Sequence, residues 1–329
     1  MTALLQQIRR TIRRHDLLPP GSRVVVGVSG GSDSVALARL LPLLGEHGGF
    51  TVAGLAHLNH RLRASAGLDE AFCRRLAEAL RLPIVVEAAD VAAYASEHGL
   101  SLEDAARRVR YAFLERAAAV LGADRVAVGH TQDDQAETFL LKLMRGAGLT
   151  GLGGIYPRRG IIVRPLLDVT RADLRRYLQG LGVEWREDES NDDVGNPRNR
   201  IRHHVLPELD RAAGASTRPA IARAAALVRE DGQWLDQLSL ERFRAVAVEA
   251  DSRIEVDAAA LEATPPPVRR RVLLEAMRRL AGGREVGLEH VEAVLGVLGG
   301  LRGGVDVPGS RVELCGPRLV LVRQGPPVR

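Results

Sequence analysis

The fold is decided by the stretch VVVGVSGGSDSVALARL, residues 24–40, in which an apolar run leads directly into SGGSDS and then into a helical pattern. Glycines let backbone N–H groups converge, serines add hydroxyl donors, and the N-terminus of a helix favours an anion. This combination predicts a cradle for a pyrophosphate group. It is not a Walker A loop, because no Gly-Lys-Ser/Thr follows, and its glycines lack the GxGxxG spacing of a dinucleotide fold.

Within this loop, Asp33 predicts a metal site. A carboxylate beside phosphates repels them unless a cation screens the charge, and Mg²⁺ is commonly bound by one or two carboxylates together with substrate phosphates. A glycine-rich turn capped by serines would explain one or two of the six residues 29–34, but not the whole string after a strand. We therefore expect magnesium to bind at Asp33.

The surrounding sequence, from Arg23 to about Pro165, alternates short β-branched runs with helix-like segments. This alternation predicts an α/β fold, a doubly wound parallel sheet with helices on both faces and with ligands beyond the carboxyl ends of its strands. The predicted strands are Val24–Val28, Thr51–Ala56, Ile84–Glu87, Val126–Gly129 and Ile161–Arg164. The predicted helices are Ser34–Leu44, Leu68–Leu80, Leu102–Leu121 with a capping box of Ser101 and Asp104, and one from Thr170 to about Leu178.

A chain of 329 residues is longer than a usual single domain, and its 46% apolar residues can form more than one core. The chain is therefore predicted to contain more than one domain. Residues 1–209 are predicted to be the catalytic domain. Residues 210–300 have the Ala, Leu and Arg content and the spacing of amphipathic helices, among them Val268–Leu280 and Leu288–Leu298. Residues 301–329 alternate like strands around PG and GP turns, which predicts a small β tail.

Composition excludes some classes of protein. The 46 basic residues exceed the 41 acidic ones, a balance compatible with a polyanionic partner, although an arginine-rich genome explains most arginines equally well. The two cysteines, Cys73 and Cys315, form no CxxC, so no disulfide, zinc or iron–sulfur site is expected. The N-terminus lacks the apolar core of a signal peptide and no stretch is long and uncharged enough to span a bilayer, so we expect no membrane partner and a cytoplasmic location.

The loop resembles that of the PP-loop ATP pyrophosphatase superfamily, whose members cleave ATP between its α and β phosphates to form an adenylated intermediate. The resemblance implies that ATP and Mg²⁺ are the cofactors. It assigns ATP binding to Ser29, Gly30, Gly31, Ser32, Asp33 and Ser34.

Four further strings resemble those of the lysidine synthetases, in the same order. They are AHLNHRLR (56–63), RVRYAFLERAA (108–118), GHTQDDQAETFLLKLMRGAGLTGLGG (129–154) with RPLLDVTR (164–171), and DESNDDVGNPRNRIRHHVLPEL (188–209). The resemblance covers roughly the first two hundred residues, and the later region looks like the compact form of the family. It implies that ATP adenylates the C2 oxygen of the wobble cytidine of isoleucine tRNA with a CAU anticodon, that free L-lysine then replaces AMP, and that the enzyme is a homodimer. A domain that handles one cytidine has too small a footprint to recognise a whole tRNA, so we expect the helical residues 210–300 to recognise tRNA, with arginines such as Arg218 on its phosphates.

The string HTQDDQAET carries the predicted chemistry of lysine transfer. Thr131 and Asp134 fit a capping box, which explains Asp134 structurally. Asp133 and Glu137 are four residues apart, so they share one helix face with each other and with His130. Two carboxylates on one face can hold a cationic amino acid and help to remove a proton from its ε-amine. We therefore assign lysine recognition to Asp133 and Glu137, with His130 beside them.

A transferring adenylate also needs fixed positive charge near its α phosphate. Arg110 is the preferred catalytic candidate and Arg145 a substrate-binding candidate, although a solvated helix end explains either one. Lys142, the only lysine, is interpreted as a surface residue.

The loop after the second strand predicts a nucleoside contact. His57 and Asn59 are expected to line the adenosine or base pocket, and a polar turn explains them equally well. A metal site of His57 and His60 is disfavoured, because no cysteine or third histidine is near in sequence.

The last string, residues 188–209, resembles a signature region that lies beside the active site in the lysidine synthetases. Its residues are Ser190, Asn191, Arg198, Asn199 and Arg202. We expect Asn191, Arg198 and Arg202 to bind substrate, with the arginines on RNA phosphate. An exposed acidic loop before a basic helix start is the alternative.

Two other functions stay open, and a third is disfavoured. A PP-loop tRNA thiolase would also adenylate a base, but it needs a reactive cysteine or a cluster-binding CxxC, which this chain lacks. A non-catalytic nucleotide-binding module would leave the paired carboxylates and the C-terminal region unexplained. An amidating ligase such as NAD synthetase has no place for AHLNHRLR or for the DESN region.

Overall fold

The computed structural model describes residues 2–61, 66–187, 195–214 and 217–324. Contacts within the chain divide it into two compact units, Met1–Leu227 and Val228–Arg329. The predicted division into residues 1–209, 210–300 and 301–329 rests on composition and stays a prediction.

The first unit contains a sheet with the strand order β3-β2-β1-β4-β6-β5. Its strands are β1 (Arg23–Gly27), β2 (Thr51–Asn59), β3 (Ile84–Ala88), β4 (Arg125–Ala127), β5 (Arg158–Arg159) and β6 (Ile162–Val163). The pairs from β3 through β6 are parallel, whereas β5 pairs antiparallel with β6. The predicted doubly wound α/β class is confirmed.

The first unit also contains helices. They are α1 (Thr2–Arg14), α2 (Ser32–Gly48), α3 (Ala66–Leu80), α4 (Val91–His98), α5 (Leu102–Val120), α6 (Gln132–Met144), α7 (Leu149–Leu152), α8 (Arg171–Gly180), α9 (Pro197–Arg200), a π-helical turn (Ile201–Val205), α10 (Leu206–Ala213) and the start of α11 (Thr217–Val246). The sequence predicted no element at α1 or α4. Ile8 and Ile12 of α1 are nevertheless buried in the main core, which explains why this arginine-rich segment folds onto the domain.

The valine run makes β1 the central strand. Val24, Val25 and Val26 are fully buried, as a strand covered on both faces requires. Val24 and Val26 pack in the core that contains the apolar side of α2, and Val25 packs on the other face against Phe113 of α5. The alternation follows the period of two of a strand.

The strand order brings the loop after β1 next to the loop after β4. A Cβ at Gly129, just after β4, would lie 3.1 Å from the backbone nitrogen of Ser34, so this close approach needs glycine. Gly30 has a φ of +90°, which only glycine adopts without strain. The predicted phosphate loop and the start of α6 are therefore neighbours.

The second unit joins helices and an antiparallel sheet around one apolar core. Its elements after α11 are β7 (Ala247–Ala250), β8 (Arg253–Asp257), α12 (Ala258–Glu262), α13 (Pro266–Leu280), α14 (Leu288–Leu298), β9 (Gly304–Val307), β10 (Ser310–Cys315) and β11 (Arg318–Arg323). The strand order is β7-β8-β11-β10-β9. The predicted tail therefore joins a larger sheet: β11 pairs with β8, and β8 pairs with β7, two strands that the sequence did not reveal.

In the part of the chain that the structure describes, no helix combines the length and the apolar character needed to cross a bilayer.

Candidate active site

The phosphate loop is preorganised by its serines. Ser29 donates its backbone N–H to Ser34 Oγ at 3.1 Å, and Ser34 Oγ donates to the carbonyl of Gly31 at 2.9 Å. Ser32 is the first residue of α2, a helix of 17 residues, so the loop ends at the N-terminus of this helix. The arrangement matches the predicted anion cradle.

Asp33 lies in this loop and contacts an arginine from a distant part of the chain. Its Oδ2 accepts a hydrogen bond from Arg171 Nε at 2.9 Å, and its Oδ1 accepts one from Ser32 Oγ at 3.2 Å. Burial raises the pKa of Asp33 despite the attraction of Arg171. Arg171 is therefore the counter-charge that stabilises the ionised form of this buried carboxylate.

Arg171, the first residue of α8, also reaches the acidic start of α6. Its Nη2 lies 3.2 Å from Asp134 Oδ1 and its Nη1 lies 3.8 Å from Glu137 Oε1. The backbone N–H of Arg171 donates to Asp133 Oδ2 at 2.8 Å. One residue thus links the phosphate loop to all three acids of α6.

Two further arginines complete the cluster. Arg198 Nε lies 2.7 Å from Glu137 Oε2 and its Nη2 lies 3.1 Å from Asp134 Oδ1. Arg202 Nε lies 2.7 Å from Glu137 Oε1. Burial raises the pKa of Asp134, but the guanidiniums of Arg198 and Arg171 outweigh it and hold that pKa below its usual range. The carboxylate of Asp134 is therefore ionised, and Glu137 beside it contacts the same arginines.

Local sequence explains this geometry. Thr131 and Asp134 form the predicted capping box, which starts α6 at Gln132 and turns its acids toward the cluster. On the neighbouring side of α6, Ala136 packs against Ile201 and Leu206 of the following helical segment. That apolar contact orients the segment, so that its arginines reach Glu137.

Asp133 and Glu137 have different environments. Glu137 is fully buried among arginines. Asp133 lines a pocket of about 380 Å³, where Arg218 lies between it and Asp210, with Nη1 3.5 Å from Asp133 Oδ1 and Nη2 3.2 Å from Asp210 Oδ2. The Oδ1 atom of Asp210 is buried and has no hydrogen-bond partner among the described residues. Asp133 and Glu137 thus lie on the same helix, but only Asp133 lines this pocket.

His130 is not on the helix face that the sequence predicted. The capping box begins α6 two residues later, so His130 belongs to the loop after β4. Its Nδ1 accepts a hydrogen bond from Arg164 Nε at 3.3 Å. Burial lowers the pKa of His130 to about 3, so the imidazole is neutral.

Arg110 lies close to this histidine. Its guanidinium carbon is 5.6 Å from the centre of the Tyr111 ring, and its charge acts on both His130 and Arg198. Burial lowers the pKa of Arg110. The structure therefore brings Arg110 to the cluster, and its catalytic role stays a prediction.

His57 supplies an unpaired polar atom beside the phosphate loop. The ring is buried, and its Nδ1 lies 2.9 Å from the carbonyl of Val28, which can only accept, so Nδ1 carries the proton. Its Nε2 is buried and has no hydrogen-bond partner among the described residues. Asn59 instead contacts Glu70 at 3.4 Å and accepts from the backbone N–H of Arg61.

Some predicted residues lie elsewhere. Arg145 is exposed and caps the far end of α6, roughly 18 Å along the helix from its acidic start. Lys142 is exposed, as interpreted from the sequence. Ser190 and Asn191 lie outside the described residues, and Asn199 is buried in α9.

Sequence reasoning missed four members of the site. Arg164 and Arg171 are the first and last residues of the string RPLLDVTR. Arg164 lies at the end of a predicted strand and Arg171 at the start of a predicted helix, and these positions were the available signal. Asp210 and Arg218 fall beyond the predicted boundary of the catalytic domain, where Arg218 was expected only as a contact for tRNA phosphate.

The cysteines have no reactive setting. Cys73 is buried, and burial together with the nearby charges of Asp69 and Glu70 raises the pKa of its thiol to about 12. Cys315 is exposed in the second unit. Among the described residues, no group of three His, Cys, Asp or Glu side chains could hold a metal. A single carboxylate at a phosphate loop still suits magnesium, which takes its remaining ligands from phosphates and water.

Known proteins resemble this chain closely. A family model described as a PP-loop domain matches residues 3–209. A tRNA(Ile)-lysidine synthase of Geobacter sulfurreducens is 42% identical over 300 residues, which are 89% of this chain and 62% of that protein. The chain thus spans less than two thirds of that relative. The tRNA(Ile)-lysidine synthase of Leifsonia xyli subsp. xyli is 36% identical over 303 residues, which are 90% of this chain and 88% of that protein.

Among solved structures, the U34-tRNA thiolase of Methanococcus maripaludis with its [4Fe-4S] cluster has a TM-score of 0.55 at 17% identity, covering 69% of this chain and 79% of that one. At this identity the likeness shows the fold alone. The phosphate loop, the acidic helix start and the extent of the matches together show that the chain belongs to the PP-loop domain family and, within it, to the tRNA(Ile)-lysidine synthases.

Proposed function

We propose that this chain converts the wobble cytidine of CAU-anticodon isoleucine tRNA to lysidine. The C2 oxygen of cytosine attacks the α phosphate of ATP and pyrophosphate leaves. The ε-amine of free L-lysine then attacks C2, loses a proton and expels AMP. Anticodon bases are unpaired, so an enzyme can reach their edges without first opening a duplex.

The phosphate loop is the proposed site for the departing pyrophosphate. The serine hydroxyls and the N-terminus of α2 supply hydrogen-bond donors, and Asp33 with the ATP phosphates would hold Mg²⁺. Bound magnesium would neutralise charge on the leaving pyrophosphate. The buried, unpartnered Nε2 of His57 is the proposed acceptor for a hydroxyl or amino group of adenosine.

The arginines around Glu137 are the proposed source of fixed positive charge for the adenylate. Their guanidiniums are held by a carboxylate at 2.7 Å, so they need not reorganise when negative charge develops. In this proposal Glu137 acts through Arg198 and Arg202, and Arg110 adds a further charge. RNA phosphate contacts by the same arginines stay part of the proposal.

Lysine recognition is proposed at Asp133, in the pocket that Asp210 also lines. The guanidinium of Arg218 lies there between two carboxylates, which demonstrates that the space accepts a cationic group. Desolvation in the pocket together with a carboxylate can help the ε-amine to lose a proton.

The observation that carries the proposal is the bridge formed by Arg171. It joins the carboxylate of the phosphate loop to the acids of α6, so ATP chemistry and acceptor chemistry share one site. A module that only binds nucleotide needs no such arrangement. A thiolase needs a reactive thiolate, and the high pKa of Cys73 opposes one.

One assay tests the proposal. Purified protein is incubated with ATP, radiolabelled lysine and either isoleucine tRNA or the same tRNA with the wobble cytidine replaced by uridine. Label should enter the first tRNA only, with AMP and pyrophosphate formed. Absence of label from both tRNAs would contradict the proposal. The homodimer and the cytoplasmic location are further parts of it, testable by sedimentation and by cell fractionation.

A further inference from the structure

Arg164 is a buried arginine whose three nitrogen groups are all engaged. Only 3% of the residue is exposed. Nη1 donates to the carbonyl of Tyr156 at 2.7 Å, Nη2 donates to the hydroxyl of Tyr111 at 3.0 Å, and Nε donates to Nδ1 of His130 at 3.3 Å. Three separate anchors fix the position of the guanidinium.

The sheet register places this arginine beside the histidine. β4 and β6 pair in parallel with Ala127 opposite Val163, so the residues that follow each strand leave the sheet together. His130 is fixed in turn, because its backbone N–H donates to the carbonyl of Val128 at 3.0 Å. The contact between the two side chains therefore belongs to the fold rather than to a flexible surface.

The direction of this hydrogen bond decides the chemistry of His130. A guanidinium has N–H donors and no acceptor, so the Nδ1 atom that faces it must offer a lone pair. The one proton of a neutral imidazole must then be on Nε2. We propose that Arg164 is a positioning residue that holds His130 as the neutral Nε2–H tautomer.

The charges around His130 agree with this proposal. Burial is the largest influence and lowers the pKa of His130 to about 3. Asp134 favours the imidazolium, whereas Arg110, Arg164 and Arg198 oppose it. The single carboxylate is itself matched by arginines, so the neutral ring is favoured.

The fixed tautomer gives His130 a definite role within the proposed function. Its Nε2–H can donate a hydrogen bond to substrate, but the ring cannot accept a proton at Nδ1 while Arg164 occupies that atom. His130 is thus a hydrogen-bond donor of constant charge and not a general base. A histidine at a strand end without such a partner could change both its tautomer and its charge.

Side-chain ¹H–¹⁵N correlation spectra of the free protein test this inference without substrate, so its failure is separate from failure of the proposed reaction. The His130 signals are identified by their loss in His130→Gln. We expect the pattern of the Nε2–H tautomer at pH 7, with no change to imidazolium down to pH 5. An Nδ1–H pattern, or a charged ring at pH 7, would overturn the proposal.

Variants test the part played by Arg164. In Arg164→Met, we expect a second population with the Nδ1–H tautomer and a His130 pKa that moves toward its ordinary value of about 6.5. Arg159→Met, an exposed arginine five residues earlier, is the matched control and should leave the spectrum unchanged. If Arg164→Met does not fold, Arg164→Lys replaces it, since an ammonium cannot reach three anchors at once. A pure Nε2–H pattern in the folded variant would show that Arg164 does not select the tautomer.

Discussion

The guanidinium of Arg171 lies 2.9 Å from the carboxylate of Asp33, although 138 residues separate them in sequence. Asp33 stands at the phosphate loop and Arg171 at the start of α8, so this ion pair joins two halves of the sheet at the carboxyl ends of its strands. The side chains are 20% and 16% exposed, so water screens the pair only in part. Removal of one charge of this pair should therefore destabilise the site.

Replacement of Arg171 by methionine should destabilise the protein. Asp33, Asp134 and Glu137 would lose a shared counter-charge while they remain largely buried. We expect a loss of about 3 kcal/mol in the free energy of unfolding. Urea denaturation measures it, with Arg176→Met of the same helix as control. Arg176 is 74% exposed in its pair with Asp173 and should cost less than about 0.5 kcal/mol. Equal losses in the two variants would contradict the expected role of Arg171.

Replacement of Asp33 by asparagine should abolish pyrophosphate release and leave the fold intact. The amide keeps the acceptor for Arg171 but cannot serve a magnesium ion as a carboxylate does. Pyrophosphate release with ATP and tRNA is the measurement, and circular dichroism checks the fold. Asp124→Asn, at a 49% exposed aspartate, is the control for loss of one carboxylate. Pyrophosphate release at the wild-type rate in Asp33→Asn would rule out the metal role.

Local signals in the sequence predicted much of this fold. The valine run fixed the central strand, and the box of Thr131 with Asp134 fixed the start of α6. The loop at Asp33 was recognisable because its glycines and serines have few structural alternatives. Local chemistry was thus sufficient wherever the partners are neighbours in sequence.

Sequence reasoning failed where the partner of a residue is distant. Helical spacing put Asp133 and Glu137 on one face, but only tertiary structure shows that Glu137 meets Arg198 and Arg202, 61 and 65 residues away. The arginine that contacts Asp33 could not be chosen among many, because arginine is spread through the whole chain. The two strands that join the β tail were missed because a sheet edge is completed by distant pairing.

Asp133→Asn and Glu137→Gln should have different effects. Asp133 lines the open pocket, so its neutral variant should fold normally, release pyrophosphate and show a KM for lysine raised about tenfold or more, as expected for loss of a hydrogen bond to a charge. Steady-state kinetics with varied lysine measures this change. A wild-type KM for lysine would remove Asp133 from the proposed lysine site.

Glu137→Gln should act on stability first. Glu137 is fully buried and holds two arginines, so loss of its charge should lower the free energy of unfolding by about 3 kcal/mol. Urea denaturation again measures it. A stable Glu137→Gln protein with a defect confined to lysine transfer would instead support direct contact between Glu137 and lysine.

The neutral state of His130 should make stability depend on pH. Its pKa is about 3 in the folded protein and about 6.5 in an unfolded chain, so between these values the unfolded chain binds a proton that the folded protein does not. This contribution is complete above pH ~6.5 and declines as pH falls toward the folded value. Wild-type protein should therefore lose up to about 2 kcal/mol more than His130→Gln between pH 7 and pH 5.

Urea midpoints at the two pH values measure this difference. The same carboxylates are present in wild type and in His130→Gln, so the difference between the two proteins removes their shared contribution. His47→Gln, at an exposed histidine of α2, should keep the wild-type dependence on pH. Parallel curves for wild type and His130→Gln would show that His130 is not held neutral.

We also propose that the second unit binds tRNA through contacts between its arginines and RNA phosphates, and the last prediction tests these contacts. Many of its arginines are already engaged: Arg270 pairs with Glu292, Arg271 pairs with Asp236, and Arg269 donates to backbone carbonyls. Paired arginines add little net charge at a surface, so exposed arginines outside such pairs should dominate the salt dependence of binding. Exposed arginines of the second unit for which no ion pair is found among the described residues include Arg244, Arg278 and Arg284, with Arg302 as a fourth.

Simultaneous replacement of Arg244, Arg278 and Arg284 by glutamine should weaken tRNA binding and make its salt dependence shallower. Each lost phosphate contact should lower the slope of log K against log salt by roughly 0.7–0.9, whereas ATP binding should stay unchanged because the phosphate loop lies in the first unit. Arg270→Gln is the matched control, since it removes an arginine whose charge Glu292 already balances, and its slope should stay close to that of the wild type. Filter binding at several salt concentrations gives both slopes. If the triple variant keeps the wild-type slope, phosphate contacts must be assigned to the first unit, where Arg198 and Arg202 are the next residues to test.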